Sequence, residues 1–266
     1  MKLTDKAVWM ANERRSVLRR ALRILDTFSD SANDLNLSEI SRRSGVPLTT
    51  AHRIVGELHA WGALERNEAG EYRIGLRLWE VAALAPRSVG LQRIALPFMQ
   101  DLYETTHRGV HLAVRTQDEV VFVERFVSPE RASARPRVGG RYALHATAVG
   151  LVLLAHAPLE LQEDVLGGPL ESFTPQTYSS GRELRQVLAD VRRSGYAVSD
   201  RQIDPDFVSV AAPIRGADDT VVAALSLIVP YTESHGPGLG HLVQATARGI
   251  SRALGAHRPS NMRKGG

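Results

Sequence analysis

The sequence contains no cysteine among its 266 residues. This absence excludes disulfide bonds, thiol nucleophiles and cysteine-based zinc sites, and it is typical of proteins of the reducing cytoplasm. No apolar stretch approaches the roughly 20 residues that a membrane-spanning helix needs. The N-terminal segment MKLTDKAVWMANERR also lacks the apolar core of a signal peptide. We therefore expect a cytoplasmic protein.

The chain has little excess charge outside its C-terminal end. The formal net charge is +4, from 33 basic and 29 acidic residues. The last fifteen residues contain no acidic residue and hold the basic residues Arg252, Arg258, Arg263 and Lys264. Because the rest of the chain is balanced, only local clustering of basic side chains can indicate nucleic-acid binding.

Two short helical patterns follow one another in the first quarter of the chain. Asn36 and Glu39 have the spacing of a capping box, which begins the first helix. Gly45 ends this helix, since glycine readily adopts the positive φ common at helix ends. A second helix is predicted over residues 48–60, and its buried stripe consists of Ala51, Ile54, Val55 and Leu58. Two short strands around the polar turn 67–70 follow, in the pattern of a wing, and Trp61 is expected in the core between the second helix and the wing.

Together these elements predict a winged helix-turn-helix, whose second helix enters the major groove of DNA. Thr49 and Thr50 at the start of that helix can meet base edges, and Arg53 can reach guanine or a phosphate. The remaining basic side chains are expected to contact phosphates. The candidate DNA-binding residues are Ser38, Arg42, Arg43, Leu48, Thr49, Thr50, His52, Arg53, Arg66 and Arg73. A helical hairpin used for dimerisation, or an adaptor that has lost DNA binding, is the alternative, but the polar outward face favours DNA.

The patterns along the chain predict two domains joined by a helix. We expect the winged helix-turn-helix domain over residues 14–75 and a linker helix over 76–87. Residues 88–255 mix helical and alternating strand patterns, which indicates an α+β sensor-like domain around one antiparallel sheet. Residues 256–266 are expected to form a disordered basic tail.

The sequence gives little support for an enzymatic activity. Neither Ser209 nor Ser226 lies in a GxSxG elbow, and GRYALHATAVG lacks the glycine spacings that bind phosphates. His107 and His111 are four residues apart, but Gly109 lies between them and no carboxylate completes a metal site. We expect His107 and His111 to be structural or pocket residues. We also expect no enzymatic activity, no metal and no cofactor.

Several segments in the correct order resemble the IclR family of transcriptional regulators over residues 14–255. They are LSEISRRSGVPLTTAHRIVGELHAWGAL with YRIG in the first half, then VGGRYALHATAVGLVLLA, FTPQT, LRQVLADVRRSGYAVSD and VSVAAPIRGADDTVVAALSL. The resemblance implies an N-terminal winged helix, a dimerising linker helix and a C-terminal GAF-like domain that binds a small effector, often a carboxylic acid. It also implies a homodimer or a dimer of dimers on palindromic double-stranded DNA, acting as repressor or activator of catabolic genes.

The resemblance also implies an effector site in the second domain, carried over onto His145, Ala146, Thr147, Ala148, Val149, Asp200, Val208, Val210 and Ser226. The amide groups at a helix start near Ala148 suit an anion. Val208 and Val210 share one strand face and are expected to form the floor of an apolar cavity. Ile228 stands where the family often has a small polar residue, which favours an aromatic or otherwise apolar acid. The sequence also departs from the family at Leu151 and at Arg201 with Gln202.

Overall fold

The structure is a computed structural model that describes residues 16–29, 32–84, 86–127, 137–234 and 238–256. Contacts divide the chain into two units, Met1–Pro86 and Arg87–Gly266. Residues 14 and 15 of the expected first domain, and residues 257–266 of the expected tail, lie outside the described residues. Within the described residues, no helix has the length and apolar character needed to cross a membrane.

The first unit is a small helical domain with a two-stranded antiparallel sheet. Its elements are α1 (Val17–Leu25), α2 (Leu37–Ser44), α3 (Leu48–Trp61), β1 (Leu64–Arg66), β2 (Tyr72–Ile74) and α4 (Leu76–Ala82). Leu35 joins the wing to the helices, because its backbone exchanges two hydrogen bonds with Tyr72. Ile24, Leu35, Ile40, Ile54 and Leu64 are almost fully buried and form the centre of one core. The predicted winged helix-turn-helix fold is thus confirmed.

The ends of α2 follow directly from its sequence. The Asn36 side chain accepts a hydrogen bond from the Glu39 amide at 3.0 Å, and the Glu39 carboxylate accepts one from the Asn36 amide at 3.1 Å. Both halves of the predicted capping box are therefore present. Gly45 has φ +63°, a left-handed conformation that a residue with a Cβ adopts only at a cost. This turn sets the angle between α2 and α3.

The second unit is built on a six-stranded antiparallel sheet in the order β5-β4-β3-β8-β7-β6. The strands are β3 (Gly109–Thr116), β4 (Glu119–Phe126), β5 (Arg141–Ala143), β6 (Ala197–Asp200), β7 (Phe207–Arg215) and β8 (Val221–Pro230). The helices are α5 (Pro86–Thr106), α6 (Ala148–Ala155), α7 (Leu159–Gly167), α8 (Gly181–Ser194) and α9 (Leu239–Ala253). A short 3₁₀ turn spans Tyr231–Glu233. The α+β class expected from the sequence is confirmed.

The two faces of this sheet are buried against different helices. Helices α5 and α9 pack on one face, where Leu112, Val208 and Leu227 lie in the core. Helices α6 and α8 pack on the other, against Ala113, Phe122 and Ala211. Every residue of α6 is buried. Because side chains alternate between the two faces along a strand, successive residues of a strand contact different pairs of helices.

The boundaries of several elements differ from those the pattern predicts. The linker helix was expected over residues 76–87, whereas α4 spans Leu76–Ala82. Elements β5, α7 and β6 carry short or weakly periodic patterns and were not predicted. Trp61 was expected in the core between helix and wing, but its side chain is half exposed and stacks against the Arg77 guanidinium, 5.6 Å from the ring centroid. Trp61 is the last residue of α3, where the helical period no longer determines which side chains are buried, and this explains the wrong prediction.

Candidate DNA interface and effector cavity

The outward face of α3 is polar, as a recognition helix requires. Ala51, Ile54 and Val55 are buried against the core and leave the opposite side of the helix to solvent. That side exposes Leu48, Thr49, His52 and Arg53, while Thr50 is half-buried. Thr49 and Thr50 lie in the first turn, the part of a recognition helix that contacts base edges. The structure brings together the predicted base-reading residues of this helix.

Arg53 is not a free cation on this surface. Its guanidinium forms an ion pair with Glu57 one turn later on α3. Both side chains are more than half exposed, so the pair contributes little to stability. Glu57 was missed by the sequence reading, although the i, i+4 spacing to Arg53 is visible in the sequence. Any contact of Arg53 with DNA would compete with this ion pair.

The other predicted DNA-binding side chains lie on α2 and on the wing. Ser38, Arg42 and Arg43 are exposed on α2. On the wing, Arg73 forms an ion pair with Glu65 at 3.4 Å. Arg66 donates to the Gly70 carbonyl at 3.1 Å and lies over the Tyr72 ring. Both wing arginines are therefore held in place, and Arg73 is paired with a carboxylate. In contrast, no ion pair of Arg42 or Arg43 is found within the described residues.

The second unit contains a large cavity of about 1680 Å³ between the sheet and the segments that surround the start of α6. Its wall is mainly apolar and includes Phe122, Leu144, Val149, Phe173, Phe207 and Ile228. Uncharged polar side chains along the wall include Thr147, Ser199, Gln202, Ser209 and Ser226, together with the histidines His111 and His145. Charged side chains also line the cavity, among them Arg108, Arg115, Asp118, Glu119, Arg141, Glu160, Asp164, Glu171 and Asp204. An apolar wall that carries polar groups is typical of small-molecule sites.

The N-terminus of α6 opens onto this cavity. Thr147 is the N-cap, and its hydroxyl accepts a hydrogen bond from the Gly150 amide at 3.0 Å. The amides of Ala148 and Val149, in the first helical turn, have no acceptor within the helix. Both residues line the cavity. Gly150 is required here, because a Cβ at this position would lie 2.4 Å from the Leu144 carbonyl oxygen. The helix start thus presents backbone donors and the positive end of the helix dipole to the cavity.

His145 closes the side of the cavity next to α6. Its side chain is 5% exposed, and Nε2 lies 2.8 Å from the carbonyl oxygen of Glu171. Its ring stacks on Phe173 with a centroid distance of 6.1 Å. His145 is thus oriented by the segment before α8, and it lines the cavity together with the predicted residues Thr147, Ala148, Val149 and Ser226.

Four other predicted effector residues are not cavity-lining residues. Val208 belongs to the core on the α5 and α9 face, and Val210 lies on the same side since it is two residues further along β7. Ser209 and Phe207 line the cavity instead, so the expected floor was predicted on the wrong face. Asp200 is exposed and forms an ion pair with Arg201. Ala146 is buried beside the cavity, where its carbonyl accepts a hydrogen bond from Ser199.

Gln202 is a cavity residue that sequence reasoning missed. Its side chain is 4% exposed, its Oε1 accepts a hydrogen bond from the Tyr178 amide, and its carbonyl accepts one from Thr177. These contacts tie the segment after β6 to the FTPQT segment. The signal in the sequence that could have identified Gln202 was its departure from the family pattern.

His111 on β3 lies on the sheet face that forms the cavity wall, directly opposite Ser226 on β8. The residue is 2% exposed, and both ring nitrogens lack a hydrogen-bond partner within the described residues. Burial, with a smaller contribution from the nearby Arg125, lowers the pKa of His111 to about 3. The ring is therefore neutral at physiological pH, with one nitrogen as donor and the other as acceptor.

Within the described residues, no cluster of three histidine, aspartate or glutamate side chains could hold a metal ion. A winged helix with a polar recognition face, followed by an α+β unit with an internal cavity, defines a DNA-binding transcriptional regulator. Residues 17–68 match the IclR helix-turn-helix domain, and residues 84–252 match the family described as bacterial transcriptional regulator IclR C-terminal. The chain therefore belongs to the IclR family.

Relatives and solved structures agree with this assignment. The HTH-type transcriptional regulator XynR of Escherichia coli K12 is 32% identical over 243 residues, which cover 90% of this chain and 96% of the relative. The HTH-type transcriptional repressor AllR of the same strain is 30% identical over 92% of this chain and 93% of its own length. These relatives are regulators and not enzymes, so the expectation that this chain is a non-enzymatic regulator is confirmed.

Two solved structures share the architecture of the whole chain. An IclR homolog from Microbacterium hydrocarbonoxydans, crystallised in complex with 4-hydroxybenzoate, is 37% identical with a TM-score of 0.85 and covers 90% of this chain and 99% of its own. An IclR-type regulator from Silicibacter sp. TM1040 is 27% identical with a TM-score of 0.76, and covers 92% and 98%.

Proposed function

We propose that this regulator controls transcription in response to a small organic acid with an aromatic or otherwise apolar body, as part of a catabolic system. The observation that carries this proposal is the apolar cavity of the second unit with the N-terminus of α6 at its wall. A carboxylate fits the first-turn amides of Ala148 and Val149, and the apolar wall fits a ring. The 4-hydroxybenzoate complex of the similar Microbacterium protein supports the same class of ligand.

DNA binding in this proposal uses the surface formed by α2, α3 and the wing. Thr49, Thr50 and Arg53 read bases, with Leu48 and His52 beside them. Ser38, Arg42, Arg43, Arg66 and Arg73 position the domain on the phosphates. The exposed polar face of α3 supports these roles.

The DNA-bound form is proposed to be a homodimer, or a dimer of dimers, on a palindromic operator. A single winged helix contacts too little DNA for high specificity, so two recognition helices one helical turn apart are needed. Helix α4 and the turn after it expose the large apolar side chains Leu76, Trp79, Val81 and Leu84. Such a run is unusual on a free surface and suits contact with a second copy.

Salt-dependent binding to a palindromic fragment from the region upstream of the gene tests the DNA-binding part. Eight phosphate contacts in a dimer, from Arg42, Arg43, Arg66 and Arg73 of each copy, give a slope of log K against log salt of about −7. A random fragment of equal length serves as control. A slope near zero, or equal affinity for both fragments, would refute the proposed mode of DNA binding.

Ligand binding is tested separately by thermal unfolding of the full chain with benzoate and 4-hydroxybenzoate. A compound that binds the folded state alone raises the unfolding temperature as its concentration rises. Acetate and pyruvate serve as small polar controls. A larger shift with the small polar acids than with both aromatic ones would contradict the proposed ligand class.

A further inference from the structure

His111 is the one residue of the described chain that buries polar side-chain atoms without any hydrogen-bond partner. A buried polar group in this state costs free energy, and folded proteins rarely keep one without a reason. His111 nonetheless lies on the cavity wall. The effector-binding role proposed above gives the carboxylate a place at α6 but gives His111 none.

The surroundings of His111 restrict the direction from which a partner can reach its ring. Phe122 packs edge-on against the ring at a centroid distance of 5.5 Å. Ser226 and Arg125 lie opposite His111 on the two neighbouring strands. Gly109, two residues earlier on the same face, also lines the cavity. A Cβ on Gly109 would lie 3.7 Å from Nε2 of His111, so the glycine places no side chain beside this nitrogen.

We propose that His111 binds an uncharged hydroxyl of the effector through Nε2, on the side where Gly109 has no side chain, and that it thereby selects hydroxylated acids over their unsubstituted analogues. This inference rests on the proposed effector cavity and names the second polar group of the ligand. A neutral imidazole offers one donor and one acceptor, which a hydroxyl can match because it both donates and accepts.

A hydroxyl matches this ring better than a charged ligand group does. The pKa of about 3 keeps the ring uncharged, so the ring itself gives an anion no ion pair. A ligand cation would lie close to Arg125 on the adjacent strand, whereas a ligand carboxylate would be drawn to Arg125 and not to the ring. Within the described residues, no cluster of three histidine or carboxylate side chains forms a metal site. A neutral hydroxyl can exchange hydrogen bonds with the neutral ring and adds no charge beside it.

Three probes separate this inference from the proposed carboxylate site. Benzoate tests the α6 end alone, phenol tests His111 alone, and 4-hydroxybenzoate tests both. Dissociation constants are measured by isothermal titration on the full chain. We expect wild type to bind 4-hydroxybenzoate at least about tenfold more tightly than benzoate, and to bind phenol at millimolar concentration.

Two variants remove the proposed contact by different means. Gly109→Ala places a methyl group beside Nε2 at ordinary contact distances, 3.6 Å from Cβ of Ile228 and 3.7 Å from His111, so the fold should tolerate it. His111→Phe keeps a ring of similar shape and removes both nitrogens. Each should bring the preference for 4-hydroxybenzoate over benzoate close to unity. Gly167→Ala, on the exposed end of α7 with no atom within 4 Å of the added Cβ, is the matched control.

The outcomes distinguish the two claims. Loss of the preference in both cavity variants, with the preference kept in Gly167→Ala, supports the role of His111. Preference for 4-hydroxybenzoate that survives in either cavity variant overturns it, as does failure of phenol to bind wild type, whatever benzoate does. If phenol binds wild type while benzoate does not, the carboxylate site at α6 fails and the role of His111 stands.

Discussion

Arg53 and Glu57 face each other one turn apart on the recognition helix, with Nη1 and Oε1 2.5 Å apart. Arg53, one of the side chains proposed to read DNA, is therefore held by a carboxylate that DNA would repel. An exposed pair of this kind contributes only about 0.3–0.5 kcal/mol to helix stability. Its larger effect is on binding, because DNA must replace Glu57 as the partner of Arg53.

Replacing Glu57 by Gln should strengthen operator binding. The change frees Arg53 and removes one negative charge from the face that meets the phosphates, so affinity should rise several-fold at low salt and less at high salt. Arg53→Ala should instead weaken operator binding by about 1–3 kcal/mol if Arg53 reads a base. Fluorescence anisotropy with labelled operator measures both. Glu104→Gln on α5 is the charge-matched control, and equal affinities for Glu57→Gln and this control would refute the coupling.

Ser226→Leu should abolish the ligand response and leave operator binding intact. Ser226 is 2% exposed and lies on the cavity wall opposite His111, so a leucine there fills space that the effector needs. Ligand-induced shifts of the unfolding temperature measure the effect. Val222→Leu places the same side chain on the exposed part of β8 and should respond like wild type. Equal shifts in Ser226→Leu and wild type would remove Ser226 from the effector site.

His111 should make the fold sensitive to acid. Burial, with a smaller contribution from Arg125, lowers its pKa to about 3 in the folded protein, whereas the unfolded value is about 6.5. Below pH 6.5 the unfolded state therefore binds a proton that the folded state does not bind. The free energy of unfolding falls by about 1.4 kcal/mol per pH unit in this range. Between pH 7 and pH 5, wild type should lose about 2 kcal/mol more than His111→Phe.

Urea unfolding followed by circular dichroism measures this difference at each pH. Gly109→Ala keeps His111 and should keep the acid sensitivity, so it controls for changes elsewhere in the cavity. His156, whose pKa burial also lowers, is present in every variant and cancels in the comparison. Identical pH dependence in wild type and His111→Phe would show that the folded protein accommodates the charged ring.

Helix α4 should decide the oligomeric state. Leu76 and Trp79 are 61% and 66% exposed, and a second copy of the chain is their proposed partner. Changing both to Ser should shift the protein toward monomers in sedimentation experiments and weaken operator binding, because each half-site then binds alone. Leu159→Ser, at a similarly exposed leucine of α7, should leave the oligomer unchanged. An unaltered sedimentation profile for the double variant would place the interface elsewhere.

The sequence predicts the first unit closely because its signals are local. The capping box at Asn36, the turn at Gly45 and the 3.6-residue period of α3 each lie within a few residues of the structure they specify. Trp61 was misplaced because it ends a helix, where periodicity no longer determines which side chain is buried.

The cavity was predicted only in part, since it is assembled by pairing between distant strands. The α6 start is visible as a motif, and Thr147 to Val149 do line the cavity. The register between β7 and β8 determines which residues of β7 face the cavity. A shift of one residue along β7 replaces Val208 by Ser209 on the cavity face. His111 was noted in the sequence, but its empty hydrogen-bonding positions appear only when Gly109, Phe122 and Ser226 are placed around it.

The regulator's operator affinity with and without effector is the most direct test of its proposed mechanism. Anisotropy titrations with the palindromic upstream fragment are done at fixed salt, with 4-hydroxybenzoate absent or saturating, on wild type and Ser226→Leu. A ligand that binds the two conformations unequally must change operator affinity, typically by 5–150-fold, whichever direction the regulation takes. We expect such a change in wild type and none in the variant. Tight binding of 4-hydroxybenzoate with identical operator affinity in both conditions would contradict the proposed coupling between cavity and DNA.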